Sequence, residues 1–357
     1  MDVLAKITGL TYKPLLCREL KTYSISDLHS ALSQDGSFIL SLDEKKHLAL
    51  SWWVSAKRTR SYPYARVYDT LSFEGKKVTI IPIMKDEGKE GDRDFLQWDT
   101  ISLMSLLGIY VIIGYYTDAE KSQRYVHKIT NQRFDIQYIK EEIKNILSYQ
   151  SDALHWNLNQ IEKIGEIAIA ALTSYERISK NLGVEMHSKK SAERRVNEII
   201  KGKETFMHLS RELAKQAQDR ESITKQPKER LLGLKATLTI KNYLGGYYFF
   251  TCDEVRIENE TIYLIEGKHS KQSLIPSLED IKDGLLKMIL FTNLKEVKID
   301  DLEYNPIPVL KLTSDIEFSR NNLKESQVDY LRKLKREAKE NNFRVEVNDR
   351  DLRDINI

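Results

Sequence analysis

The chain is poor in cysteine, histidine and proline, with two, seven and seven among 357 residues. Cys17 and Cys252 lie far apart and match no metal-binding or redox spacing, which excludes a disulfide framework and makes a reduced, cytoplasmic setting the expectation. The histidines are scattered, with no HxxxH or His/Cys cluster, so zinc chemistry goes too. A glycine-rich nucleotide-binding motif is missing, which argues against an ATP-driven motor or helicase and against any nucleotide cofactor. Excess charge of either sign is also missing. Lys+Arg 56 against Asp+Glu 53 leave +3, so a nucleic-acid surface has to arise from local segregation of charge. The greasiest run, residues 101–116 (ISLMSLLGIYVIIGYY), falls short of the ~20 residues of a membrane helix. It reads as a buried helix, a break at Gly108 and a buried strand. The N-terminus lacks the long apolar core of a signal peptide, and no membrane partner is expected.

What remains is a soluble, globular composition, 41% hydrophobic and 31% charged, long enough for one large or two modest domains. Residues 1–130 read as an α/β region with strands at 37–42, 65–67, 78–83 and 109–115, and with KDEGKEGDRD (85–94) as an exposed polar loop. Residues 131–225 turn helical: Ile136, Ile139, Ile143 and Ile146 recur at three- and four-residue spacing. The polar stretch 220–229 is the best linker. Residues 226–357 alternate again, with strands at 236–241, 247–257 and 261–268, a helix at 278–291 capped by Ser277, strands at 297–299 and 309–312, a charged helix at 324–340 and a strand at 343–347. The expected class is α/β.

The segment 247–268 (YYFFTCDEVRIENETIYLIEGK) is the most telling. If Asn259-Glu260 forms a two-residue hairpin loop, Ile257 faces Ile262, Val255 faces Leu264 and Asp253 faces Glu266. Strand alternation then puts Asp253, Glu266 and Lys268 on one face, just beyond an apolar row, with Glu254 pointing the other way. An odd loop or a bulge would substitute Glu254 for Asp253. Two carboxylates beside an ammonium suit a divalent metal and phosphodiester cleavage. The bland alternative is a surface hairpin whose polar end happens to carry these charges. E-x-K alone is a weak signal in so charged a chain. Only Glu266-Gly267-Lys268 ends a buried strand beside a second acid-bearing strand.

The arrangement resembles the PD-(D/E)XK nuclease superfamily, the fold of most type II restriction endonucleases, although Cys252 stands where that family's weakly kept proline would precede the first acid. The resemblance covers the last third of the chain. It implies an αβββαβ core with a mixed sheet, catalytic Asp253, Glu266 and Lys268, and one or two Mg²⁺ (or Mn²⁺ in substitution) held by Asp253, Glu266 and the carbonyl of Gly267. Glu212, on the preceding helix, is an additional candidate acid. The implied activity is that of a sequence-specific endonuclease on double-stranded DNA, acting as a homodimer because two-fold sites require two centres. A structure-specific or repair nuclease on the same core, and a non-catalytic DNA-binding protein, are the alternatives.

Residues 1–130 are then the expected DNA-recognition region and 131–225 a dimerisation or clamp element. Within 52–68 (WWVSAKRTRSYPYARVY), Lys57, Arg58, Arg60, Tyr62, Tyr64 and Arg66 mix guanidinium forks with aromatic rings, as phosphate and base contacts require. An ordinary basic loop anchored on Trp52 and Trp53 fits equally well. Lys189, Lys190, Arg194 and Arg195 form a second basic cluster, read as a solvated face. The acids Asp86, Glu87, Glu90, Asp92 and Asp94 lack EF-hand spacing and read as a solvated loop.

Overall fold

Asp2–Ile7 (DVLAKI) alternates exposed and buried side chains, the period of a strand with one face on a core. In the computed structural model, which describes residues 2–57, 59–200, 234–242 and 246–356, this strand, β1, pairs in parallel with Leu234–Asn242. The N-terminus thus belongs with the C-terminal third. One unit comprises Met1–Glu19 with Ala214–Ile357, and the other Leu20–Leu213. These bounds differ from the division expected at 130 and 225. The helices Ile136–Ser148, Ala153–Glu162 and Ile164–Leu182 pack on the strand Ile109–Gly114 and share its unit.

The terminal unit follows β1 with β2 (Leu234–Asn242), β3 (Gly246–Glu258), β4 (Thr261–Ser270), α1 (Leu278–Phe291), β5 (Lys295–Ile299), β6 (Leu302–Ser314), α2 (Glu325–Glu340), β7 (Arg344–Val347) and β8 (Arg350–Asp351). Strand β3 runs antiparallel to β2 and β4, while β4, β6 and β7 are parallel. Residues Leu302–Tyr304 of β6 also pair with β5, and β5 pairs with β1. Hydrogen bonding therefore runs round a closed circuit, β4–β3–β2–β1–β5–β6. Helix α1 starts at Ser277, whose hydroxyl accepts from the Asp280 N–H. It is buried nearly all round, and packs on β4 and β6. Helix α2 is buried at Leu331, Leu334, Glu337 and Ala338.

In the middle unit, Thr22–Ser24, Ser37–Ser41, His47–Trp52, Lys76–Pro82 and Ile109–Gly114 form a mixed sheet in that order. The last three are parallel and joined through the helices Pro63–Thr70 and Trp98–Leu106. The free edge of Ile109–Gly114 is satisfied by side chains of helix Ala153–Glu162. Asn157 accepts the Val111 N–H at 2.7 Å, and Trp156 donates to the Val111 carbonyl at 2.8 Å. Gly108, at φ +68°, makes the break between helix and strand that residues 101–116 suggest.

Two local expectations fail in this unit. Residues 65–67 are helical, because Pro63 sits in the first turn, where its fixed φ and missing N–H favour a helix start. The polar loop at 85–94 is a hairpin between Met84–Asp86 and Arg93–Phe95, with Asp86 and Glu87 buried. Lys85, Lys128 and Arg60 surround Glu87. Burial pushes its carboxyl up, but those cations more than offset the shift and bring it to about 2. Among the described residues, no helix is long and apolar enough to cross a membrane.

Candidate active site

The hairpin β3–β4 turns at Asn259, which adopts a left-handed φ of +55°. Its register places Ile257 opposite Ile262, Val255 opposite Leu264 and Glu254 opposite Ile265. There the ladder stops. From Cys252 back to Gly246, β3 pairs with β2 alone, and from Glu266 onward β4 pairs only with β6. The gap between the diverging strands lies between Asp253 and Glu266, and it is bridged by the Gly267 N–H donating to Asp253 Oδ2 at 3.0 Å. A residue's N–H and C=O point to the same edge of an extended strand, so the Gly267 carbonyl shares that edge.

A bulge sits at the same point. Leu234 pairs with Val255 but Ala236 with Cys252, so β3 carries one extra residue against β2 at Asp253–Glu254. The bulge resets the alternation. Phe250 faces α1, its ring edge-on to Phe291, and Asp253 reaches the same side although three residues on. Because the bulge lies against β2 and the hairpin register is regular, Asp253 joins Glu266. Glu254 is buried on the reverse face, apart from them.

Helix α1 completes the cluster with two residues that the sequence reading passed over. Lys268 Nζ lies 2.6 Å from Asp283 Oδ2 and 3.1 Å from Glu266 Oε1. Lys287 Nζ bonds to Glu266 Oε2, lies 3.5 Å from the Thr251 carbonyl and stands over the Phe250 ring. Glu266 is 1% exposed and Lys287 4%. Asp283 and Lys287 are four apart and so share a helix face. The available signal was a charged pair at that spacing in residues 283–291 (DGLLKMILF), a stretch that is otherwise apolar. Gly284 between them brings α1 close to the sheet, since a Cβ there would meet Leu310 Cδ1 at 2.6 Å and Lys268 Cε at 3.3 Å. Gly284→Val is expected to cost about 2 kcal/mol in denaturant unfolding, by overpacking against the buried Leu310. An unchanged midpoint would mean that the helix stands further off.

The carboxylates titrate as a pair. Burial raises Asp253, but Lys287, Glu266 and Lys268 outweigh it and hold the carboxyl below the ordinary aspartate value. Burial, then the charge of Asp253, pushes Glu266 up to about 7 despite both lysines. Burial likewise pulls the Lys268 ammonium down, yet Glu266 and Asp283 keep it well above its usual value.

The stability consequence has a definite sign. Between the ordinary 4.5 and about 7 the folded chain keeps a proton on Glu266 that the unfolded chain releases. That contribution is whole below 4.5 and lost as pH rises through about 7, to a total on the order of 3 kcal/mol. Asp253 acts oppositely: its contribution is present above 3.8 and lost as pH falls through its lowered value. Urea midpoints should therefore fall from pH 5 to pH 8, and fall less in Glu266→Gln. Equal falls in the two proteins would assign the titration to other groups.

Among the described residues no three His, Cys, Asp or Glu side chains converge as a metal cage. The donor set is a carboxylate pair with a backbone carbonyl at its edge. This suits Mg²⁺, which binds through one or two carboxylates and keeps several waters. A divalent cation would also relieve the repulsion that raises Glu266.

The remaining candidates are placed elsewhere. Glu212 and Arg58 lie outside the described residues. Arg60 is engaged by Glu87, Asp92 and Asp94. Tyr64 is buried, edge-on to Trp53. Arg66 donates to the Trp52 carbonyl at 3.0 Å and stacks on that ring. Of the described residues in the six-residue recognition set, only Lys57 and Tyr62 are exposed. The sequence alone could not show the hairpin at 84–95, whose acids claim Arg60. No protein-family model, curated protein or solved structure matches this chain.

Proposed function

We propose that this chain is a Mg²⁺-dependent endonuclease hydrolysing phosphodiester bonds of double-stranded DNA, built on a restriction-endonuclease-like core. One observation carries the reading: Asp253, Glu266 and Lys268 converge where β3 and β4 diverge, under α1. The order β2, β3, β4, α1, β6, with β6 parallel to β4, follows the βββαβ part of that core. Its leading helix would fall among residues outside those described.

In this mechanism Asp253, Glu266 and the Gly267 carbonyl would hold the ion, and Mg²⁺, when bound, would supply an activated water and polarise the scissile phosphate. Lys268 acts as a fixed cation. Glu266 and Asp283 keep it protonated, so it donates to water or to the phosphoryl oxygens and offsets charge developing there. Its partial burial strengthens that interaction by excluding solvent. A homodimer would present two such centres to a two-fold site.

A second reading, a nuclease that cuts branched or damaged DNA whatever its sequence, gains support from the recognition set. Arg60, Tyr64 and Arg66 are occupied within their own unit and withdrawn from base edges. Digestion of a long unmethylated duplex with Mg²⁺ separates the two. Discrete fragments support the sequence-specific enzyme, and an intact duplex beside cutting of a branched or damaged substrate supports the second reading. Resistance of every duplex, single-stranded and branched substrate would defeat both.

A further inference from the structure

Glu266 has its two carboxylate oxygens divided between two lysines. Lys268 takes Oε1, and Lys287 takes Oε2. The two ammonium groups differ in setting. Lys268 is steadied by a second carboxylate, Asp283 at 2.6 Å. Lys287 has no second carboxylate in hydrogen-bonding contact among the described residues. Its other neighbours are the Thr251 carbonyl at 3.5 Å and the Phe250 ring, whose centroid lies 4.9 Å away. A carbonyl and an aromatic face make a cradle in which an ammonium can stay after leaving a carboxylate.

From this geometry we infer that Lys287 is a positioning residue: the internal counter-cation of Glu266, competing with a divalent metal for Oε2. The inference rests on the metal-site reading above and deepens it. Two cations cannot take the same lone pairs of a buried oxygen. Metal entry therefore requires the Lys287 ammonium to withdraw toward Thr251 and Phe250. Until then Lys287 keeps a buried, repelling carboxylate pair compensated and Glu266 in place. Competition of this kind lowers metal affinity in exchange for order in the metal-free site. A lysine with a purely structural role would do the reverse, because its removal would loosen Glu266 and weaken binding.

The test is calorimetric titration of the full chain with Mn²⁺ and with Mg²⁺, comparing wild type, Lys287→Met and Lys287→Gln. Met keeps the apolar stem against Phe250, and Gln keeps a donor to Glu266 without the charge. We expect both variants to bind at least about tenfold more tightly than wild type, roughly 1.4 kcal/mol. That binding should vanish on adding Asp253→Ala. Unchanged or weaker binding in both folded variants, with a measurable wild-type site, would overturn the role of Lys287 and leave the metal site standing. Absence of any Asp253-dependent binding in all three proteins at millimolar metal would remove the metal site itself, and this inference with it. If Lys287→Met fails to fold, Lys287→Gln alone decides.

Discussion

Glu266→Gln is expected to reduce DNA cleavage by about 10³-fold or more while leaving DNA binding intact. The substitution keeps the shape of a side chain that is 1% exposed. It removes the negative charge on which both lysines converge and which a metal ligand needs. On the proposed reading, binding to DNA would draw on phosphate contacts spread over a wide surface, whereas hydrolysis would depend on this one cluster. Cleavage rates together with mobility shifts without metal check the prediction. Full activity in the variant would show that hydrolysis occurs elsewhere. Simultaneous loss of cleavage and binding, in a variant that still unfolds cooperatively, would give Glu266 a role in holding DNA.

The second large effect is on stability and lies far along the chain from the carboxylate pair. Glu337 on α2 is fully buried, and it fastens the segment after β1. The N–H groups of Leu15 and Leu16 donate to its Oε2 at 2.7 and 3.1 Å, and the Tyr12 hydroxyl donates to Oε1 at 2.7 Å. Asn341, one turn on, accepts from the Lys13 N–H at 2.7 Å and donates to the Lys13 carbonyl at 3.0 Å. Glu337→Ala leaves several donors without their acceptor at about 1–3 kcal/mol each, and a total loss of about 4 kcal/mol is expected. Against a typical domain stability of about 5–15 kcal/mol, that is a large fraction. Glu337→Gln keeps one carbonyl oxygen and should lose about half as much. Equilibrium denaturation decides. A loss below about 1 kcal/mol in Glu337→Ala would mean that the N-terminal segment contributes little to the fold.

The hairpin was legible because its determinants are local. Asn259 tolerates a left-handed turn, and period-two alternation on both strands fixes the register through Val255, Leu264, Ile257 and Ile262. Helix α1 was legible from Ser277 and its apolar length. The signals that were missed depend on distant segments. Strand β1 alternates in DVLAKI, but nothing nearby says that its partner lies beyond residue 230. The Asp253–Glu254 bulge is defined only against β2. Lys287 looks like a stray charge in the apolar second half of α1 until the helix lies over Glu266. Arg60, Tyr64 and Arg66 looked available to DNA because their partners come from Trp52, Trp53 and the acids at 87–94. Charge and aromaticity are visible in a sequence, but whether they are already committed to partners in the fold is not.

The most direct test of the Asp253–Glu266–Lys268 centre is cleavage of end-labelled duplex DNA in Mg²⁺ or in EDTA, by the wild-type chain and by Lys268→Ala. Cutting that needs both the metal and Lys268 is the predicted result. Cutting that persists in EDTA, cutting that is equal in Lys268→Ala, or no cutting of any DNA by the folded wild-type chain with Mg²⁺ or Mn²⁺ would contradict it.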